Sequence, residues 1–177
     1  MATVYDVANF LISISDVIEV KDITNLKLNK LVYFAQGIYC AKTGKPLFTD
    51  SVEAWTYGPV IRALYDKYKC YGDSVITKVD SSYNENCFTN EELDILTDVV
   101  IMFKGYSASQ LVDLTHMPNK AWSKHYVKNR NNVIPLSDIV ADANDILANY
   151  NNYSIDNLES IGYRDTDGIL VLPVDYD

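Results

Sequence analysis

Residues 26–37 read Leu26-Lys27-Leu28-Asn29-Lys30-Leu31-Val32-Tyr33-Phe34-Ala35-Gln36-Gly37, and the spacing of their apolar positions sets the fold class. Leu28, Leu31, Val32, Ala35 and Tyr39 recur as one helical stripe that Phe34 and Ile38 widen, so the spacing predicts a helix covered on most of its sides. Thr24 is placed to open it and Gly44 to stop it. Asn29, Tyr33 and Gln36 fall at i, i+4 and i+7, a polar row on this otherwise apolar helix. Covered polar groups need partners, and two readings are open: the extended backbone of Val52 to Tyr57, or a ligand or partner. The high cost of an unpaired buried amide favours the first.

Outward from this helix, Thr3 can cap an earlier one carrying Val4, Val7, Leu11 and Ile14 and running to about Ile18. After it, Val52 to Tyr57 reads as extended, and Pro59 of Gly58-Pro59 is placed as a first helical residue. Ile61, Leu64, Tyr65 and Tyr68 follow as a helical face closed by Gly72. Val75 to Phe88 suggests a short hairpin with its turn at Asn84 to Asn86. Thr89 with Glu92, and Ser107 with Gln110, are capping boxes. The first opens a helix with Leu93, Leu96, Val100 and Phe103 inside, ended by Gly105; the second opens a shorter one with Leu111 and Leu114. Pro118 breaks the chain before a segment bearing Trp122. Ser137 is expected to start a last helix with Ile139, Val140, Ala143, Ile146 and Leu147 inward. Asp167-Gly168 beside Ile169 to Leu172 suggests a small hairpin. The expected architecture is mainly α: one compact multi-helix domain over 1–150, with short β-hairpin elements, and an irregular C-terminal extension over 151–177.

At 177 residues, 48% apolar and 22% charged, the chain has the size of one domain and enough apolar side chain for a core. Its net charge of -9 disfavours nucleic acid as a partner. The acid excess lies in 73–118 and 138–177, whereas 119–137 holds Lys120, Lys124, Lys128 and Arg130 and no acid. That island reads first as a solvated helix face and second as a contact for nucleic acid or an acidic surface. No apolar run exceeds about five residues, against the roughly 18 that span a bilayer, and Met1 to Val20 has no basic start and carries Asp6, so no membrane partner is expected and a cytoplasmic location is. Cys40, Cys70 and Cys87 are odd in number without CxxC spacing, which fits reduced, structural thiols.

Catalytic signatures are missing. His116 and His125 have no metal-ligand spacing, and there is no GxSxG, P-loop or GxGxxG. Neither a catalytic residue, nor a metal, nor a cofactor is expected, although Cys40 or Cys70 could meet His116 in space. Glu91 and Glu92 read as helix-start residues facing the macrodipole. Fourteen tyrosines, two tryptophans and five phenylalanines serve equally as core or as interface.

The helix motif above, then Gly44-Lys45-Pro46-Leu47-Phe48, then Glu53-Ala54-Trp55-Thr56-Tyr57-Gly58-Pro59-Val60, closely resembles the Panacea domain, the SocA-like antitoxin and phage-associated family. Tyr65, Tyr68, Tyr71-Gly72, Thr115-His116 and Trp122 continue the resemblance, which covers roughly Val4 to Tyr150. Ala121 stands where the family tends to have proline, and Ile38 where an aromatic residue is common. The resemblance implies a mostly helical, non-enzymatic antitoxin of a two-gene pair that binds the toxin encoded by the adjacent gene. Alternatives are an adapter delivering the toxin to a protease, which toxin half-life would separate from simple occlusion, or a phage or mobile-element accessory protein. A DNA-binding regulator ranks below these. The partner-binding residues expected are Lys27, Asn29, Lys30, Tyr33, Gln36, Trp55, Tyr57, Pro59, His116 and Trp122.

Overall fold

Helix α2 (Asn25–Thr43) is the axis of the molecule: every residue from Lys27 to Tyr39 is buried. Thr24 caps it by accepting the Lys27 N–H, and Gly44 ends it in the left-handed region. The computed structural model describes residues 2–150 and, beyond them, the backbone of two short strands. Around α2 pack α1 (Val4–Val17), α3 (Arg62–Tyr68), α4 (Asn90–Phe103), α5 (Ala108–His116) and α7 (Leu136–Asn149), with the short α6 (Ala121–His125) between α5 and α7. The contact between α2 and α7 is the most extensive, and Gly37 makes it possible. A Cβ there would sit 3.0 Å from both Ala143 Cβ and the Ile139 carbonyl oxygen. Stacked Phe34 and Phe103, 4.5 Å between ring centres, join α2 to α4.

Besides Thr24, the expected caps at Thr3, Thr89 and Ser107 form, and all three are reciprocal boxes: Thr89 with Glu92, Ser107 with Gln110, and Thr3 with Asp6, whose carboxylate returns to the Thr3 N–H. A three-stranded antiparallel sheet lies over one end of α2, in the order β2 (Gly58–Val60), β1 (Glu53–Trp55), β3 (Asn132–Val133). Its register pairs Glu53 with Val60 and Trp55 with Gly58 on one side, and Glu53 with Val133 on the other. Beyond residue 150, β4 (Tyr163–Arg164) and β5 (Leu170–Val171) pair antiparallel, Tyr163 opposite Val171. The expected turn Asp167-Gly168 and the rest of 151–177 lie outside the described residues.

Several local expectations are corrected. Pro59 is in strand β2, not at the start of a helix, because β2 is an edge strand, where a residue without an N–H is tolerated. The helix begins only at Arg62, after Ile61 has given its N–H to Asn29. Val75 to Phe88 forms no hairpin, since its backbone bonds elsewhere: Ile76 N–H to the Ile23 carbonyl, Asp80 N–H to Asn9 Oδ1, and a 3-10 turn at Glu85–Cys87. The last helix starts one residue before Ser137, following Pro135. Strand β3 had no reading in the sequence. Among the three free thiols Cys70 and Cys87 are exposed and Cys40 half-buried, so none is a core residue. The basic island is not a uniform solvated face either: Lys120 is buried and bound to Asp145, and Lys124 lies 3.6 Å from Asp138.

Candidate functional site

Thr56-Tyr57 connects β1 to β2, and the stretch Trp55 to Ile61 is held from beneath by side chains of other elements. The Trp122 indole N–H donates to the Trp55 carbonyl at 2.7 Å. The Lys30 ammonium donates to the Pro59 carbonyl at 2.9 Å, and the Ile61 N–H donates to Asn29 Oδ1 at 3.0 Å. His116 sets one ring nitrogen 2.7 Å from the Val112 carbonyl oxygen and the other 3.3 Å from that of Thr56. Gly58 adopts φ +97°, and a Cβ on it would lie 2.8 Å from both Lys30 Cε and Thr115 Oγ1. Only glycine lets the turn settle this closely on α2 and α5.

The electrostatics of this underside are set by burial. Lys30 is fully buried, and desolvation pulls its pKa down to about 7. His116 is pushed down to about 4, first by burial and then by the nearby Lys30 charge, outweighing the two carbonyl contacts that favour the cation. It is neutral at physiological pH and, with a single N–H, donates to one of its two carbonyls at a time.

Above the backbone stand half-exposed aromatic rings with fixed orientations. The Trp55 indole N–H donates to Glu53 Oε2 at 2.7 Å, and the same carboxylate grips Arg62, whose guanidinium lies 5.0 Å from the Trp55 ring centre. Tyr65 packs 4.9 Å from Trp55, ring centre to ring centre. Trp122 is sandwiched between His116, 3.5 Å between ring centres, and Tyr126, stacked at 4.6 Å. Tyr57 and Thr56 complete the half-exposed crest.

The Trp122 segment has its own anchor. Buried Asp142 on α7 accepts the Ala121 N–H on both carboxylate oxygens at 3.0 Å and the Tyr33 hydroxyl proton at 2.6 Å. Desolvation raises its pKa, against the opposing pull of these bonds. The alanine at 121, where proline was the family expectation, supplies a donor that proline lacks. Position 121 thus ties α6, and Trp122 with it, to the α2–α7 contact.

The ten expected contact residues therefore divide. Lys27, Asn29, Lys30, Tyr33, Gln36 and Pro59 are buried and engaged inside the fold, so they present no surface. Lys27 pairs with Asp22 at 2.6 Å; Gln36 accepts the Leu47 N–H and donates to the Phe48 carbonyl. The polar row on α2 does find backbone partners, at Leu47-Phe48 and Ile61 rather than at Val52 to Tyr57, while Tyr33 binds a carboxylate. Trp55, Tyr57, His116 and Trp122 are half-exposed and gather around the turn. Arg62, Tyr126 and Asp142 have no reading in the sequence, while Glu53 and Tyr65 read only as motif or helix-face residues and not as part of the site. For Asp142 a signal existed: it interrupts the apolar row Ile139, Ala143, Ile146 on α7. Among the described residues no cluster of His, Cys, Asp or Glu could hold a metal, and no helix is long and apolar enough to cross a membrane.

Fold and site together define a helical scaffold that holds one aromatic turn rigidly at its surface. The chain belongs to the antitoxin SocA-like Panacea domain family, whose model matches residues 28–123, from α2 through the Trp122 segment. Antitoxin SocA of Caulobacter vibrioides (strain NA1000 / CB15N) is 29% identical in an alignment of 127 residues that covers 66% of this chain and 66% of that protein, so the chain spans just under two thirds of that relative. No solved structure matches the chain.

Proposed function

We propose that the protein is an antitoxin that neutralises the toxin encoded by the adjacent gene through direct binding, with the Trp55–Tyr57 crest, His116 and Trp122 in the contact face. The observation that carries this reading is the clamped turn. Half-exposed tryptophan and tyrosine side chains whose backbone and ring positions are already fixed lose little entropy on docking, which is what a tight interface centre requires. Family membership supports the antitoxin role, and the chain's acidity suits a basic partner through steering.

Co-expression with the neighbouring gene tests it. Growth rescue with a copurifying complex is the expected result, with Trp55→Ala or Tyr57→Ala folded but unprotective. Rescue that never yields a complex would overturn the binding mechanism.

A further inference from the structure

Beside the crest runs a groove of about 370 Å³ with Leu26, Trp55, Val60 and Tyr65 among its lining residues and Asp73 and Asn131 on its wall. Its charges are unevenly matched. Lys69, which also lines it, is bound to Asp66 at 2.9 Å, and Arg62 near Trp55 is bound to Glu53 at 2.8 Å. The Asp73 carboxylate is exposed and has no hydrogen bond or ion pair among the described residues. An apolar, aromatic trough with one uncompensated carboxylate is complementary to a side chain with a methylene stem and a cationic end. The protein displays that pairing itself: a guanidinium rests over Trp55 while held by a carboxylate.

We propose that this groove receives an arginine side chain of the partner protein, its stem against Leu26 and the Trp55 and Tyr65 rings and its guanidinium on Asp73. Arginine fits better than lysine because a planar, weakly hydrated guanidinium is less costly to bring to the edge of an apolar groove and bonds a carboxylate in two places. The inference rests on the docking reading only for the occupant's belonging to a protein, and it names the anchor that the aromatic crest surrounds.

The test uses the full chain, 15N-labelled, titrated with blocked dipeptide amides: leucyl-arginine, leucyl-lysine and leucyl-glutamate. Arginine peptide is expected to shift the Trp55 indole, Gly72 and Asp73 signals, binding about threefold more tightly than the lysine peptide, with no localised shift from the glutamate peptide. Asp73→Asn should remove that preference, and Leu26→Trp, which fills the groove from a half-exposed position, should abolish the shifts. Glu91→Gln, which changes net charge equally on distant α4, should change neither. Absent shifts, equal response to the glutamate peptide, or an Asp73→Asn variant that keeps the arginine preference would each overturn the assignment. A toxin that copurifies while the peptides bind nowhere would sink the groove and leave the docking face; peptide binding without any toxin complex would do the reverse.

Discussion

Lys30 brings an amine into the interior with a carbonyl, not a carboxylate, as its hydrogen-bond acceptor. Its folded pKa, about 7, lies below the ordinary value of 10.5, so between these limits the unfolded chain binds more protons than the folded one. Stability must therefore rise with pH from about 7 to about 10.5 and lose this dependence below about 7, where both states are protonated. Lys30→Met should flatten that rise relative to the parent and stabilise the fold at pH 7 by on the order of 1–3 kcal/mol after the loss of the Pro59 bond. Thermal unfolding of both proteins across pH 6–10 checks it, and parallel curves would refute it. Gly58→Ala acts in the opposite direction. A side chain at φ +97° that also meets Lys30 and Thr115 at 2.8 Å should cost about 2 kcal/mol or more, read as a lowered urea midpoint.

At the scale of elements, α7 is the brace for both α2 and α6. Asp142→Ala strands the Tyr33 hydroxyl and the Ala121 N–H in the interior, at about 1–3 kcal/mol for each buried donor left unpaired. The loss should appear as a lower melting temperature together with red-shifted emission from Trp122 as α6 loosens; Tyr33→Phe, which leaves the Ala121 bond intact, should lower stability with little spectral change. What was legible here was local. A capping box involves residues three apart, and an apolar stripe involves its own helix, so α1, α2, α4 and α5 could be read with their caps. The β1–β2–β3 sheet could not, because what places Pro59 in a strand is an ammonium 29 residues earlier and a register opposite Ala54. Likewise, in the stretch read as a hairpin, Ile76 and Asp80 give their N–H groups to Ile23 and Asn9 rather than to each other's strand.

For the whole molecule, the motif residues read from the sequence divide into two kinds of contact. Asn29, Lys30 and Gln36 are polar because they bind backbone inside the fold, whereas Trp55 and Tyr57 are aromatic where the surface is half open. Spacing shows that α2 is covered but not what its polar residues bind, so a side chain that clamps backbone and one that faces outward look alike until the turn is seen from beneath. Under the proposed function the clamp presents the crest to a toxin. The most direct measurement pairs Trp55→Ala with Tyr57→Ala in one protein, confirms an unchanged helical spectrum, and follows growth and copurification with the adjacent gene product. Loss of both protection and complex in a folded double variant is the predicted result. A folded double variant that still protects fully and copurifies would contradict the account.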